Sequence, residues 1–338
     1  MSDVRLRTAA EVDADALHAF LARFFGDAKA GFLRRHGTWW HGGEVNRLVL
    51  LAGGEVAAYC GVIPVRVAID GGVHDALWWI DLVVAPEFRG RGLQALFDRE
   101  VRERAPLLLG FPNELAAGIH RRHGWGVRED LRAVLAPLDP RGLNVVRRAG
   151  VAVRLAAGAL SPFAWLWRRR LAAWRPRTAR RVDAPDVERW AELARVGSAG
   201  LATTWRDAAY LRRRYVDAPY RDQLLFYETG SIVAVSRRLE RGGRVEERVL
   251  DLFGDLARRD ELDDLLRTIL GEAVRAGAAQ VTGLAAYDEL AAAFRRSGFR
   301  LGSVARFCWS SLDREVMEAL ARARFHWCLG DSDNDDPL

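Results

Sequence analysis

The chain has almost no lysine: of its 51 basic residues only Lys29 is not arginine, a bias that reads as coding composition rather than choice of partner. Cysteine is scarce too. Cys60, Cys308 and Cys328 stand far apart, with no CxxC pair and no histidines at ligand spacing, so neither a disulfide framework nor a metal site is expected. No apolar run reaches about 18 residues, which argues against a membrane-spanning helix, and residues 1–5 lack the basic-then-apolar layout of a secretory leader. A cytoplasmic protein of two ordinary domains fits 338 residues, 50% of them hydrophobic.

What is present is patterned. Residues 11–24 place Val12, Leu17, Phe20, Leu21 and Phe24 at helical spacing. From 47 to 84 the period shortens to that of strands, broken by Gly53-Gly54 and Gly71-Gly72, which predicts an antiparallel meander. A helix at 93–104, a short strand at 106–111, a helix at 113–123 stopped by Gly124, and a closing strand at 127–135 follow.

The second half repeats this outline. Residues 210–213 echo 32–35, strands and glycine turns recur from 223 to 253, and Asp251-Leu252 stands where Asp81-Leu82 stood. The expected organisation is therefore a domain at 1–137, a basic tryptophan-containing segment at 138–181, a second domain at 182–313, and a helix with an acidic tail at 314–338. Asp331, Asp333, Asp335 and Asp336 of that tail read as a mostly solvated end. Residues 141–181 carry eleven arginines, Trp165, Trp167 and Trp174, and no acid. Two readings stay open: weak association with an anionic membrane surface, or an inter-domain helix with solvated arginines and packed tryptophans. The second leads because Pro162 and the glycines break the helical face. The cluster of Trp205, Arg206, Tyr210, Arg214, Tyr215 and Tyr220 reads as packing plus solvated arginines, or as a grip on a sugar ring or anion.

The segment from Asp81 to Leu93 carries the clearest chemistry. A strand through Leu82, Val83 and Val84 enters Arg89-Gly90-Arg91-Gly92, and a helix starts at Leu93. Two glycines let the backbone turn tightly and approach phosphate oxygens, the helix start supplies unpaired amide donors, and the arginines add charge. The second copy offers only Gly254-Asp255-Leu256-Ala257-Arg258, with one glycine and an acid, so only the first domain looks built for phosphates.

Glu87-Phe88-Arg89-Gly90-Arg91-Gly92 resembles the coenzyme-binding turn of the GNAT superfamily of acyl-CoA-dependent N-acyltransferases, Q/R-x-x-G-x-G/A, with Glu87 as a departure. Asn113-Glu114-Leu115-Ala116 through His120 to Gly124-Trp125 keeps every spacing of that family's next helix, N-x-x-A-x-x-x-Y-x-x-x-G-F. The resemblance covers residues 1 to about 137 and, as a degenerate copy, the second half. It implies an α/β fold of two GNAT-like domains, each a mixed, largely antiparallel sheet flanked by helices. It also implies acetyl-CoA or another acyl-CoA held along Leu82, Val83 and Val84, by the turn from Arg89 to Leu93, and by Asn113, with a backbone N–H near Val83 or Val84 facing the acyl carbonyl.

His120 stands where the family has a tyrosine thought to protonate the leaving thiolate; an imidazolium would serve as well, since its reference pKa lies near 6.5. Asp81 is the first candidate base for the acceptor amine and Glu44, near Trp39-Trp40, the second. Direct attack on the thioester by a small-molecule amine or amino-sugar acceptor is expected, with no metal and no nucleic acid. The rival readings are a non-catalytic acyl-CoA-binding or scaffold protein and a Fem-type aminoacyl-tRNA-dependent transferase. The residues do not specify an oligomeric state.

Overall fold

The computed structural model describes residues 4–139, 161–240 and 243–332. The chain forms two compact units that interleave in sequence: residues up to Arg128 with Arg306–Ala323 make the first, and Glu129–Ala305 with the stretch from Arg324 make the second.

The first unit begins with β1 (Val4–Thr8), α1 (Ala14–Phe25), α2 (Asp27–His41), β2 (Arg47–Ala52), β3 (Glu55–Ile69) and β4 (Gly72–Val84). It continues with α3 (Leu93–Arg102), β5 (Leu107–Gly110) and α4 (Glu114–Arg122). Asp13 caps α1, accepting from the N–H groups of Asp15 and Ala16. The expected meander is present: β1, β2, β3 and β4 are antiparallel neighbours, and Asp70 and Gly71, both at positive φ, make the turn between β3 and β4. Alternate strand residues, among them Leu48, Leu50, Cys60, Leu77, Trp79 and Leu108, bury against Phe97 and Val101 of α3. All three cysteines of the chain are free and buried.

The remaining elements are β6 (Gly126–Pro137), α5 (Ser161–Ala172), β7 (Arg180–Val182), α6 (Val187–Gly197), β8 (Leu201–Thr204), α7 (Ala208–Leu211), β9 (Leu224–Glu228), β10 (Ile232–Glu240) and β11 (Val245–Gly254). They continue with α8 (Arg259–Arg275), β12 (Gln280–Ala285), α9 (Asp288–Ser297), β13 (Arg300–Ser311), α10 (Arg314–Arg322) and β14 (Arg324–His326). In the second unit β7, β9, β10 and β11 are antiparallel neighbours, β12 runs parallel to β11, and α8 buries Leu262, Leu265, Leu266, Ile269 and Leu270 against Tyr227, Val249 and Phe294. Each unit is thus a mixed, largely antiparallel sheet flanked by helices.

The strand expected at 127–135 does form, as β6. From Arg132 on it pairs with β12, within the second unit. The strand beside β5 is the end of β13, running from Ser311 opposite Leu107 to Cys308 opposite Gly110. Alternation in sequence reports a strand and its faces but not its partner.

The echo between Asp81 and Asp251 is an echo of backbone. On β4 the register slips between Tyr59, opposite Val83, and Gly61, opposite Ile80, so Asp81 and Leu82 share the place of one residue. On β11 it slips between Val235, opposite Asp251, and Ser236, opposite Val249. Each is a β-bulge. In the second unit the arginines of the aromatic cluster are buried rather than solvated. The Arg206 guanidinium lies between Asp251 and Asp331 at 2.9 and 2.8 Å, and Arg214 donates to the carbonyls of Gly330 and Ser332. Asp331, expected in a solvated tail, is therefore a core residue; Asp333, Asp335 and Asp336 lie outside the described residues.

Candidate functional site

β4 and β5 run side by side for only three residue pairs, Ala76 with Leu107 to Trp78 with Leu109. β5 ends at Gly110, whereas β4 continues to Val84, bent at the bulge where Asp81 takes φ 53°. Ile80, Val83 and Val84 keep their ladder to β3 on one side. On the β5 side this stretch has no strand partner among the described residues. Such an edge presents N–H and C=O groups to any extended ligand with amides of its own.

The glycine-rich turn opens directly off this edge. Pro86–Phe88 make one 3-10 turn, and Arg89 Nε donates back to the Val84 carbonyl at 3.2 Å. Gly90 and Gly92 sit at φ 75° and 74°, and a Cβ on either would meet no atom within 4 Å. Glycine is needed there for the backbone angle, and the space above the turn is open. Gly92 begins α3 with no side-chain cap, which leaves the first-turn N–H groups for an anion. Arg91 lies over the Phe88 ring at 5.2 Å. Glu87, the departure from the family pattern, is paired with Arg23 at 2.9 Å, and that hydrogen bond holds its carboxyl below the usual range. Its charge is thereby balanced.

Asn113 accepts from the Ala116 N–H at 2.9 Å, so its side-chain oxygen caps α4. His120, on the same helix, packs its ring 4.4 Å from that of Trp125 and 6.1 Å from that of Trp79 on β4. Burial pushes its imidazole below 6.5, against an opposing pull from Asp98. The neutral ring therefore dominates at neutral pH, which makes His120 a sparser proton donor than the sequence suggests.

Asp81, with 1% of its side chain exposed, is ion-paired to Lys29, whose ammonium lies 5.1 Å from the Phe25 ring centroid. Glu44 accepts from Arg47 at 3.0 Å and from the Thr38 hydroxyl. Arg47 Nε in turn reaches the Tyr59 hydroxyl at 3.5 Å, and that hydroxyl lies 3.1 Å from His41 Nε2. Burial drives the Tyr59 phenol far above its ordinary value, with a smaller upward push from Asp81. This network, buried at Arg47, Tyr59 and His41 and half-exposed at Glu44, is not signalled by any sequence motif. The available signal was glycine where a side chain would be ordinary: a Cβ on Gly61 would stand 2.2 Å from the His41 ring, and one on Gly37 2.7 Å from the Arg47 guanidinium.

Residues 5–128 match the acetyltransferase (GNAT) domain family. No curated protein sequence matches the chain. Among solved structures, a GCN5-related N-acetyltransferase from Kribbella flavida is similar over 95% of this chain and 74% of that one, at 19% identity and a TM-score of 0.60. One from Anabaena variabilis is similar over 92% and 73%, at 13% identity and 0.60. The N-myristoyltransferase of Saccharomyces cerevisiae, solved with bound myristoyl-CoA, is similar over 92% and 79%, at 13% identity and 0.63. At these identities the likeness is one of fold, and the sequence match to the acetyltransferase (GNAT) domain family is confined to residues 5–128.

Proposed function

We propose that this chain is an N-acyltransferase that moves an acyl group from acetyl-CoA, or another acyl-CoA, to the amine of a small acceptor. The observation that carries this reading is the parting of β4 from β5 at the Asp81 bulge, directly before the open glycine turn. The amide-bearing arm of the donor would pair with Leu82, Val83 and Val84. Its pyrophosphate would rest on Arg89, Gly90, Arg91, Gly92 and the N–H of Leu93, with Asn113 at the start of the neighbouring helix.

In the transfer step the neutral amine attacks the thioester carbonyl, the C–N bond forms, and the C–S bond breaks. A backbone N–H near Val83 or Val84 supports the negative charge on the carbonyl oxygen. His120 returns a proton to the departing thiolate from its imidazolium fraction. The proton lost by the amine passes toward Asp81, or toward Glu44, each of which has a cationic partner. No acyl-enzyme step is needed. An amino sugar is the acceptor class this reading favours.

The test is release of free thiol from acetyl-CoA with a panel of amines that includes amino sugars. Amine-dependent release supports the reading. Binding of acetyl-CoA with no release in any amine would make the chain a sensor or scaffold, and absence of binding would remove the coenzyme site altogether.

A further inference from the structure

Helix α5 has two faces of opposite character. On one, Leu171 is buried, and its carbonyl lies so near Gly271 of α8 that a Cβ there would stand 2.8 Å away. Trp167, itself 36% exposed, covers Gly298, where a Cβ would come within 2.5 Å of the indole, and Trp174, just past the helix, donates its indole N–H to Asp264 at 3.2 Å. The other face carries Trp165 and Leu166, 57% and 54% exposed, and one turn later Arg169 and Arg170, both exposed. Residues at i, i+1, i+4 and i+5 share one side of a helix, so these four form a single outward strip.

Four arginines on and beside this strip lack an ion pair among the described residues. The Arg169 guanidinium stacks on the Trp165 ring at 4.7 Å, and Arg175, Arg177 and Arg181 are exposed nearby in sequence. The side chains of Arg170, Arg175, Arg177 and Arg181 form no ion pair among the described residues, and no acid occurs between 141 and 181. Exposed indole and leucine beside unneutralised arginine suit the boundary between anionic headgroups and hydrocarbon. A nucleic acid would reward the arginines but not Leu166. Among the described residues no helix is long and apolar enough to cross a bilayer, so α5 would lie on one.

We propose that the outward strip of α5, Trp165, Leu166, Arg169 and Arg170, docks the chain onto an anionic lipid bilayer. The full chain is mixed with sedimentable vesicles of phosphatidylcholine, alone or with phosphatidylglycerol. It should partition onto the anionic vesicles and stay in solution with the neutral ones. R169S/R170S should weaken partition about fivefold for each arginine removed. R314S/R322S carries the same net charge but changes exposed residues of α10, and it should stay within about twofold of the unaltered chain. W165S/L166S should abolish the part of the binding that survives high salt, with circular dichroism confirming that each variant folds. Equal losses in the two arginine pairs would reduce the effect to net charge and overturn the proposal. So would failure to bind anionic vesicles at low salt, or retention of high-salt binding in W165S/L166S.

Discussion

Lys29, the only lysine in the chain, is ion-paired to Asp81, the buried residue at the bulge where β4 leaves β5. The pair fixes a carboxylate at the bend of the candidate coenzyme strand. Removing its cation strands that carboxylate in the interior, so K29M should lower unfolding free energy by about 3 kcal/mol. D81N should cost less, and the double variant less than the sum by at least about 1 kcal/mol, because neither charge is then left alone. Urea unfolding of the four proteins measures this. Additive costs would show that the pair contributes nothing jointly.

Gly90 and Gly92 separate folding from binding. Alanine at either must adopt a left-handed backbone, at about 1 kcal/mol each, and its methyl would point into open space. If the turn holds pyrophosphate, G90A and G92A should lower acetyl-CoA affinity at least about tenfold while melting changes little. Calorimetric titration distinguishes the cases, and unchanged affinity in both would detach the turn from the coenzyme.

His120 should leave a mark on the pH profile. Its burial places its pKa below 6.5, so the imidazolium that can protonate a thiolate is lost as pH rises through that lowered value. If His120 is the acid, amine-dependent thiol release should carry a falling limb with that midpoint. H120F should erase the limb and slow the reaction roughly 100-fold. A variant with unchanged rate and profile leaves His120 as packing between Trp79 and Trp125.

In the second unit a buried histidine predicts acid sensitivity. His326 Nε2–H donates to the Leu252 carbonyl at 2.6 Å, while Nδ1 has no partner. Burial, aided by Arg206, pushes its pKa down to about 4. The unfolded chain takes this proton near 6.5 and the folded chain only near 4, so the stabilisation is complete above 6.5 and is lost as pH falls between the two. It amounts to at most about 3 kcal/mol. H326Q should flatten the dependence of unfolding free energy over that window; an unaltered slope would assign it to another group.

Much of this was legible in the chain because local chemistry dictates it. The meander follows from alternation and paired glycines, and the turn at Gly90 and Gly92 from a backbone that side chains resist. The bulge at Asp81 was visible only as an acid repeated at Asp251. What the sequence hid is long-range: the exchange of β6 and β13 between units, the burial of Asp331 against Arg206, and the linkage of Glu44 to His41 through Arg47 and Tyr59. These depend on which segments meet, and apolar alternation is silent on that. The basic stretch was readable as charge, but which tryptophans pack and which face outward needed the helix itself. Its residues 141–160 lie outside the described residues.

The most direct test of the central claim is amide hydrogen exchange across the first unit with and without saturating acetyl-CoA. Exchange should slow at Leu82–Val84 and in the turn through Gly92, where coenzyme amides and phosphates would engage the open backbone. Unchanged exchange there at saturation, or protection confined to the turn from Gly254 to Arg258 in the second unit, would contradict it.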